Sequence, residues 1–160
     1  MNLLKLTILM FLFASGCATA EGLNIVYGVT SIKDIQKNYS ASKIGHSSAS
    51  RIEIYEVDIS DLKDKKCLFR NSLKSMTFNV NENGVLVGSE RIHNGNVLAD
   101  IKSCLSKCHV SVEFTIEEKT FFGLDAIRYQ NSNTDIVVFF TGSENTTRYS
   151  INLKVESESN

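Results

Sequence analysis

The sequence predicts an α+β fold, a two-layer sandwich in which two helices pack on one face of a largely antiparallel sheet. Three observations carry this. Several segments alternate apolar and polar residues with the period of a half-buried strand, Met76, Phe78 and Val80 being the clearest. Asn83-Gly84 between two such segments suits the positive φ angles of a tight hairpin. Only two stretches of the mature chain carry a 3.6-residue apolar repeat, and two helices cannot cover both faces of a large sheet.

Residues 1–20 read as an export signal. Lys5 supplies the positive end, the apolar run Leu6 to Phe13 is too short to span a bilayer, and Ala18-Thr19-Ala20 offers a small-x-small cleavage site. The working chain then begins near Glu21. Phe13-Ala14-Ser15-Gly16-Cys17 competes as a lipobox, in which Cys17 would be lipidated and membrane attachment would follow. Residues 21–156 are expected to form one domain, and 157–160 a disordered tail.

Ser31-Ile32-Lys33-Asp34 has the form of a capping box, followed by Ile32, Ile35 and Tyr39 on one helical face. Ser40 to Ser50 is polar, serine-rich and aperiodic, the composition of an exposed loop. Arg51 to Ile59 reads as a strand with a phase shift near Ile54, and Ser75 to Ile92 as a hairpin. His93 to Asn96 is a polar turn. Val97, Leu98, Ile101, Cys104, Leu105 and Cys108 then line one side of a second helix, with Asn96 as its cap. The remainder is strand-rich: Val110 to Ile116, Phe121 to Tyr129, a central strand at Ile136 to Phe140, and a last, half-exposed strand from Tyr149 to Val155. Helix-then-strands occurs twice, which permits two similar halves.

The 160 residues carry a formal charge of −1, and the leader holds one lysine and no acid, so its loss leaves −2. That balance gives no electrostatic footprint for nucleic acid and no polybasic patch for anionic lipid. Membrane association is expected only through a lipid on Cys17. Whichever peptidase acts, Cys67, Cys104 and Cys108 remain, and an odd number in an oxidising compartment suggests one disulfide, from Cys67 to either helical cysteine, and one spare thiol.

Four patterns invite a chemical reading. Cys104-Leu105-Ser106-Lys107-Cys108-His109 resembles a haem attachment site but has three residues between its cysteines where two are needed. Zinc on Cys104, Cys108, His109 and His46 or His93 lacks a second ligand pair elsewhere. Ser40-Ala41-Ser42-Lys43 matches the Ser-x-x-Lys of acyl enzymes without their companion motifs. Asp58, Asp61 and Asp64 lack the spacing, glycine and terminal glutamate of a calcium loop. No metal, cofactor or catalytic residue is assigned.

At Gly28-Val29-Thr30-Ser31-Ile32-Lys33-Asp34-Ile35, and again at Thr77-Phe78-Asn79 and Gly84-Val85-Leu86, the chain is similar to small bacterial envelope proteins of the SmpA/OmlA type. The second helix and further strands look closer to the duplicated helix-and-sheet arrangement of secreted β-lactamase-inhibitor-like domains. The resemblance implies an exported, often lipidated module that binds other proteins and catalyses nothing, and it carries no functional residue across. The expected function is therefore a non-enzymatic, periplasmic or secreted protein that binds an envelope protein or a small ligand. The alternatives are a small secreted hydrolase using the Ser40–Ser50 loop, and a secreted inhibitor or immunity protein.

Overall fold

A computed structural model describes Leu23 and residues 25–62, 68–107, 115–121 and 124–154. The leader, Cys17, Cys67, Cys108, His109 and the expected tail lie outside the described residues. The elements run α1 (Ile32–Asn38), β1 (Ala41–Ser47), β2 (Ile52–Val57), a 3-10 turn (Ile59–Asp61), β3 (Leu73–Val80), β4 (Leu86–Asn94), α2 (Leu98–Lys107), β5 (Thr115–Phe121), β6 (Leu124–Gln130), β7 (Thr134–Thr141) and β8 (Thr146–Leu153). The fold is α+β and mostly sheet.

All eight strands join one antiparallel sheet in the order β1-β2-β3-β4-β8-β7-β6-β5. Each helix is followed by four strands in meander order, and the two sets meet where β4 pairs with β8. The helix-then-strands repetition legible in the sequence is thus a topological one. β8 alternates between buried and more exposed residues, as the sequence suggested. It is an inner strand, because the second meander turns back to lay its last strand against the last strand of the first.

α1 starts as its capping box requires. The Asp34 amide donates to Ser31 Oγ at 3.2 Å and the Ser31 hydroxyl donates to the Asp34 carboxylate at 2.7 Å. Lys37 chiefly, with Ser31, holds the Asp34 carboxyl down at about 2. The lead-in is sewn to the β3–β4 turn: Gly28 N donates to Leu86 O, Leu86 N to Thr30 O and Ile32 N to Gly84 O, at 2.7–2.9 Å. Gly28 (φ +83°) and Gly84 (φ +75°) take backbone angles that side chains resist. α2 is capped by Asn96, whose side chain accepts from Leu98 N at 3.2 Å.

Ser40 to Ser50 is not a loop. Residues 41–47 form edge strand β1, paired with β2, and the register slips between Lys43 and Gly45, leaving Ile44 as the bulged residue, 56% exposed. An edge strand that is solvated along its length and interrupted by a bulge loses the alternation by which strands are recognised.

Registers carry one face across the whole sheet in rows such as Tyr55–Phe78–Ser89–Ile151–Ile136–Tyr129–Ile116. Two apolar clusters form on it. Ile32 and Ile35 of α1 join Val57, Met76, Phe78, Val80 and Leu86, while Ile101 and Leu105 of α2 join Ile127, Tyr129, Ile136, Val138, Tyr149 and Ile151. Each such side chain contributes about 1.5–3 kcal/mol on full burial. Tyr27 touches both clusters.

Candidate functional site

Two places gather polar side chains in an arrangement that packing alone does not require. The first is the seam between the clusters. β4 directs Ser89, Arg91 and His93 to the inward face, and all three are buried, His93 completely. Their partners in β8 are Ile151, Tyr149 and Thr147. Arg91 places its guanidinium carbon 5.1 Å from the centroid of the Tyr149 ring. Tyr27 Oη and Ser89 Oγ are 2.5 Å apart. Ser72 Oγ lies 3.1 Å from His93 Nδ1 and donates to Phe69 O at 2.9 Å, so its single proton is committed and His93 Nδ1–H is the donor between them. His93 Nε2 is then a buried acceptor without a partner among the described residues. Burial, and secondarily Arg91, pushes the imidazole down to about 4.

His93 was expected in a solvent-facing turn. It is instead the last inward residue of β4, whose strand continues to Asn94. The signal was present in the sequence, since Ser89, Arg91 and His93 keep the two-residue period, but polar residues on that period read as the exposed face.

The second place is the face turned away from the clusters. Its rows include Glu56–Thr77–Glu90–Ser150–Val137–Arg128 and Ser75–Ile92–Arg148–Phe139–Ala126. Arg128 grips Asp135 with two hydrogen bonds, Nε–Oδ1 at 2.8 Å and Nη2–Oδ2 at 2.7 Å. Arg148 reaches Glu90 and Glu144, each at 3.4 Å. Beside these ion pairs Ile92, Val137 and Phe139 stay partly exposed, as does Ile54 further out on β2. At the centre Gly88 leaves a dent, roofed by Asn79 and Asn152, where an added Cβ would stand 2.7 Å from both Asn152 Oδ1 and Ile151 O.

At the β1 margin a depression of about 550 Å³ is lined by Ser40, Ser42, Glu56, Asp58, Lys74 and Ser75, with Ala41, Val57 and Ile59. Asp58 accepts from Ser60 N, and this capping bond with the Ser60 side chain holds its carboxyl below the usual range. A second depression, of about 420 Å³, lies between Leu98, Ala99 and Lys102 of α2 and Glu118, Asp125, Ala126 and Ile127. Lys102 forms an ion pair with Glu118.

The structure does not bring the Ser-x-x-Lys pattern together as an acyl enzyme needs. On a helix, positions i and i+3 share a face; here Lys43 lies in strand β1 and Ser40 just before it, so the helical spacing the pattern needs is absent. Lys43 pairs with Glu53, which raises its pKa, the reverse of what a general base requires. Asp61 accepts from Ser40 N at 2.7 Å and so serves the backbone, while Asp64 lies outside the described residues. Among the described residues no group of three or more His, Cys, Asp or Glu could hold a metal ion. Cys104 is buried in α2 and disulfide-bonded. Cys17, Cys67 and Cys108, the other three cysteines, are outside the described residues. No helix among the described residues is long and apolar enough to cross a membrane.

Compared with known proteins, the chain matches no family model, no curated protein and no solved structure.

Proposed function

We propose that this is an exported binding protein of the cell envelope, built as a two-layer sandwich with both helices on the inward face of the sheet, and that it uses the opposite face to hold a protein partner. The observation that carries the reading is the composition of that outer face. Partly exposed Ile92, Val137 and Phe139 alternate with the Arg128–Asp135 and Glu90–Arg148–Glu144 ion pairs. Apolar centres bordered by oriented charges are what a specific protein interface is made of. The signal-like first twenty residues support export, and the resemblance to SmpA/OmlA-type and β-lactamase-inhibitor-like modules supports a binding role.

The absence of catalysis is part of the same proposal. Lys43 is held as an ammonium by Glu53, and His93 is shut inside the domain. Neither is poised to activate a serine.

The test is capture from envelope extract with the mature protein and two variants. Phe139→Asp, at the register partner of Arg148 on the outer face, is expected to abolish recovery of the partner held by the parent chain. Lys33→Glu, on the exposed side of α1, is expected to leave it intact. Equal recovery by all three would defeat the assignment of this face. A mass spectrum of the purified N-terminus separates cleavage before Glu21 from lipidation at Cys17.

A further inference from the structure

We propose that the turn Phe69–Ser72 is a proton-sensitive latch over His93, closed at neutral pH and opened when His93 takes up a second proton at Nε2. The turn is fastened at both ends and loose between them. Leu68 and Leu73 are buried in the first apolar cluster, whereas Phe69, Arg70 and Ser72 are only partly buried and Asn71 is exposed. Phe69 itself packs against the second cluster and meets the His93 ring edge-on, with centroids 6.3 Å apart. Its backbone sits at φ +49°, a strained conformation for a bulky side chain that the ring's packing maintains.

The hydrogen bonds say which proton matters. Ser72 gives its hydroxyl proton to Phe69 O and accepts from His93 Nδ1, a bond that the neutral and the protonated ring can both make, so the second proton falls on Nε2. The remaining nitrogen, Nε2, is buried and has no partner among the described residues. Protonating it creates a buried N–H⁺ that lacks an acceptor and stands two residues from Arg91 on the same face of β4. Among the described residues the charged group acting on His93 is Arg91, and no carboxylate offsets it. The groups facing it from other elements are Ser72 and Phe69 of the turn and Thr147 of β8. An imidazolium there must reach water, and the least costly route is to swing the Phe69 ring aside. The buried position disfavours the proton until the pH falls well below the usual histidine range, consistent with a latch that stays shut at neutrality.

Amide hydrogen exchange on the whole mature protein tests this, with rates corrected for intrinsic exchange at pH 7 and about pH 4.5. The expected result is a loss of about tenfold or more in protection at Ser72 and Leu73, whose amides close the turn on itself, and at Asn94, whose amide ties it to β4, beyond any uniform decline across β7 and the β3–β4 pairing. The same comparison on His93→Gln is expected to show no acid-dependent loss, while His46→Gln behaves as the parent. Unchanged protection at the turn, or a loss there no greater than that across the other strands, would overturn the latch. Should His93→Gln fail to fold, nitrogen-detected imidazole spectra of the parent decide the matter. A proton on Nδ1 at neutral pH, with the ring titrating at the pH where the turn opens, supports the proposal. A proton on Nε2, or titration without opening, refutes it.

Discussion

Arg91 and Tyr149 are register partners across the β4–β8 junction, and the guanidinium of one stands over the ring of the other at 5.1 Å. This cation–π contact lies between the two apolar clusters, on the strand pair that joins the two halves. Desolvated contacts of this kind contribute about 2 kcal/mol or more. Tyr149→Leu, which keeps an apolar side chain but removes the π face, is expected to lower unfolding stability by about 2–3 kcal/mol. Tyr149→Phe, which keeps the ring, is expected to stay within about 1.5 kcal/mol of the parent. Denaturant titration of the three proteins gives the comparison, and equal losses would remove the ring from the account.

Gly88 tests the closeness of the same junction on its outer side. An added methyl would stand 2.7 Å from the Ile151 carbonyl, which is backbone and cannot swing away. Gly88→Ala is expected to cost about 1–3 kcal/mol. Gly45→Ala, whose nearest neighbour would be Ile54 at 3.6 Å, is expected to lie within about 0.5 kcal/mol of the parent. Thermal melts of both variants check the contrast.

His93 gives a pH dependence of definite sign. Its folded pKa, about 4, is below the roughly 6.5 of an unfolded histidine. Between those values the unfolded chain binds the extra proton, so stability is full above about pH 6.5 and falls as pH drops towards 4, by up to about 3 kcal/mol. Asp34, held down at about 2, acts lower, its contribution vanishing below the ordinary carboxylate range. Unfolding titrations at successive pH values should show the first decline in the parent and lose it in His93→Gln.

The N-cap of α1 makes a local prediction. Ser31→Ala removes the acceptor for Asp34 N and one of two partners that keep Asp34 ionised, at an expected cost of about 1 kcal/mol. Ser31→Asp should retain most of the stability. The helix spans seven residues, so the loss should be visible as greater exchange across Ile35 to Asn38.

Much of the fold was legible because its signals are local. Ser31 and Asp34 announced α1, Asn83-Gly84 announced the β3–β4 hairpin, and Asn96 announced α2. What was not legible depends on position in space. β1 is polar because it is an edge, and the Ile44 bulge erased its period. β8 alternates as a half-exposed strand does, and nothing in its residues says that β4 lies beside it. The outer face could be anticipated only as whatever the helices leave open. The seam escaped notice because Arg91 and His93 occupy inward positions with side chains that ordinarily face water.

The pairing of β4 with β8 also sets a timetable. β1 to β4 are consecutive neighbours and can assemble as soon as they are synthesised, yet the free side of β4 must wait for the last strand in chain order. During that interval a nascent chain presents an incomplete sheet margin carrying Ser89, Arg91 and His93. Those side chains keep the waiting margin hydrated and make it a poor template for stray β-pairing until its own partner arrives.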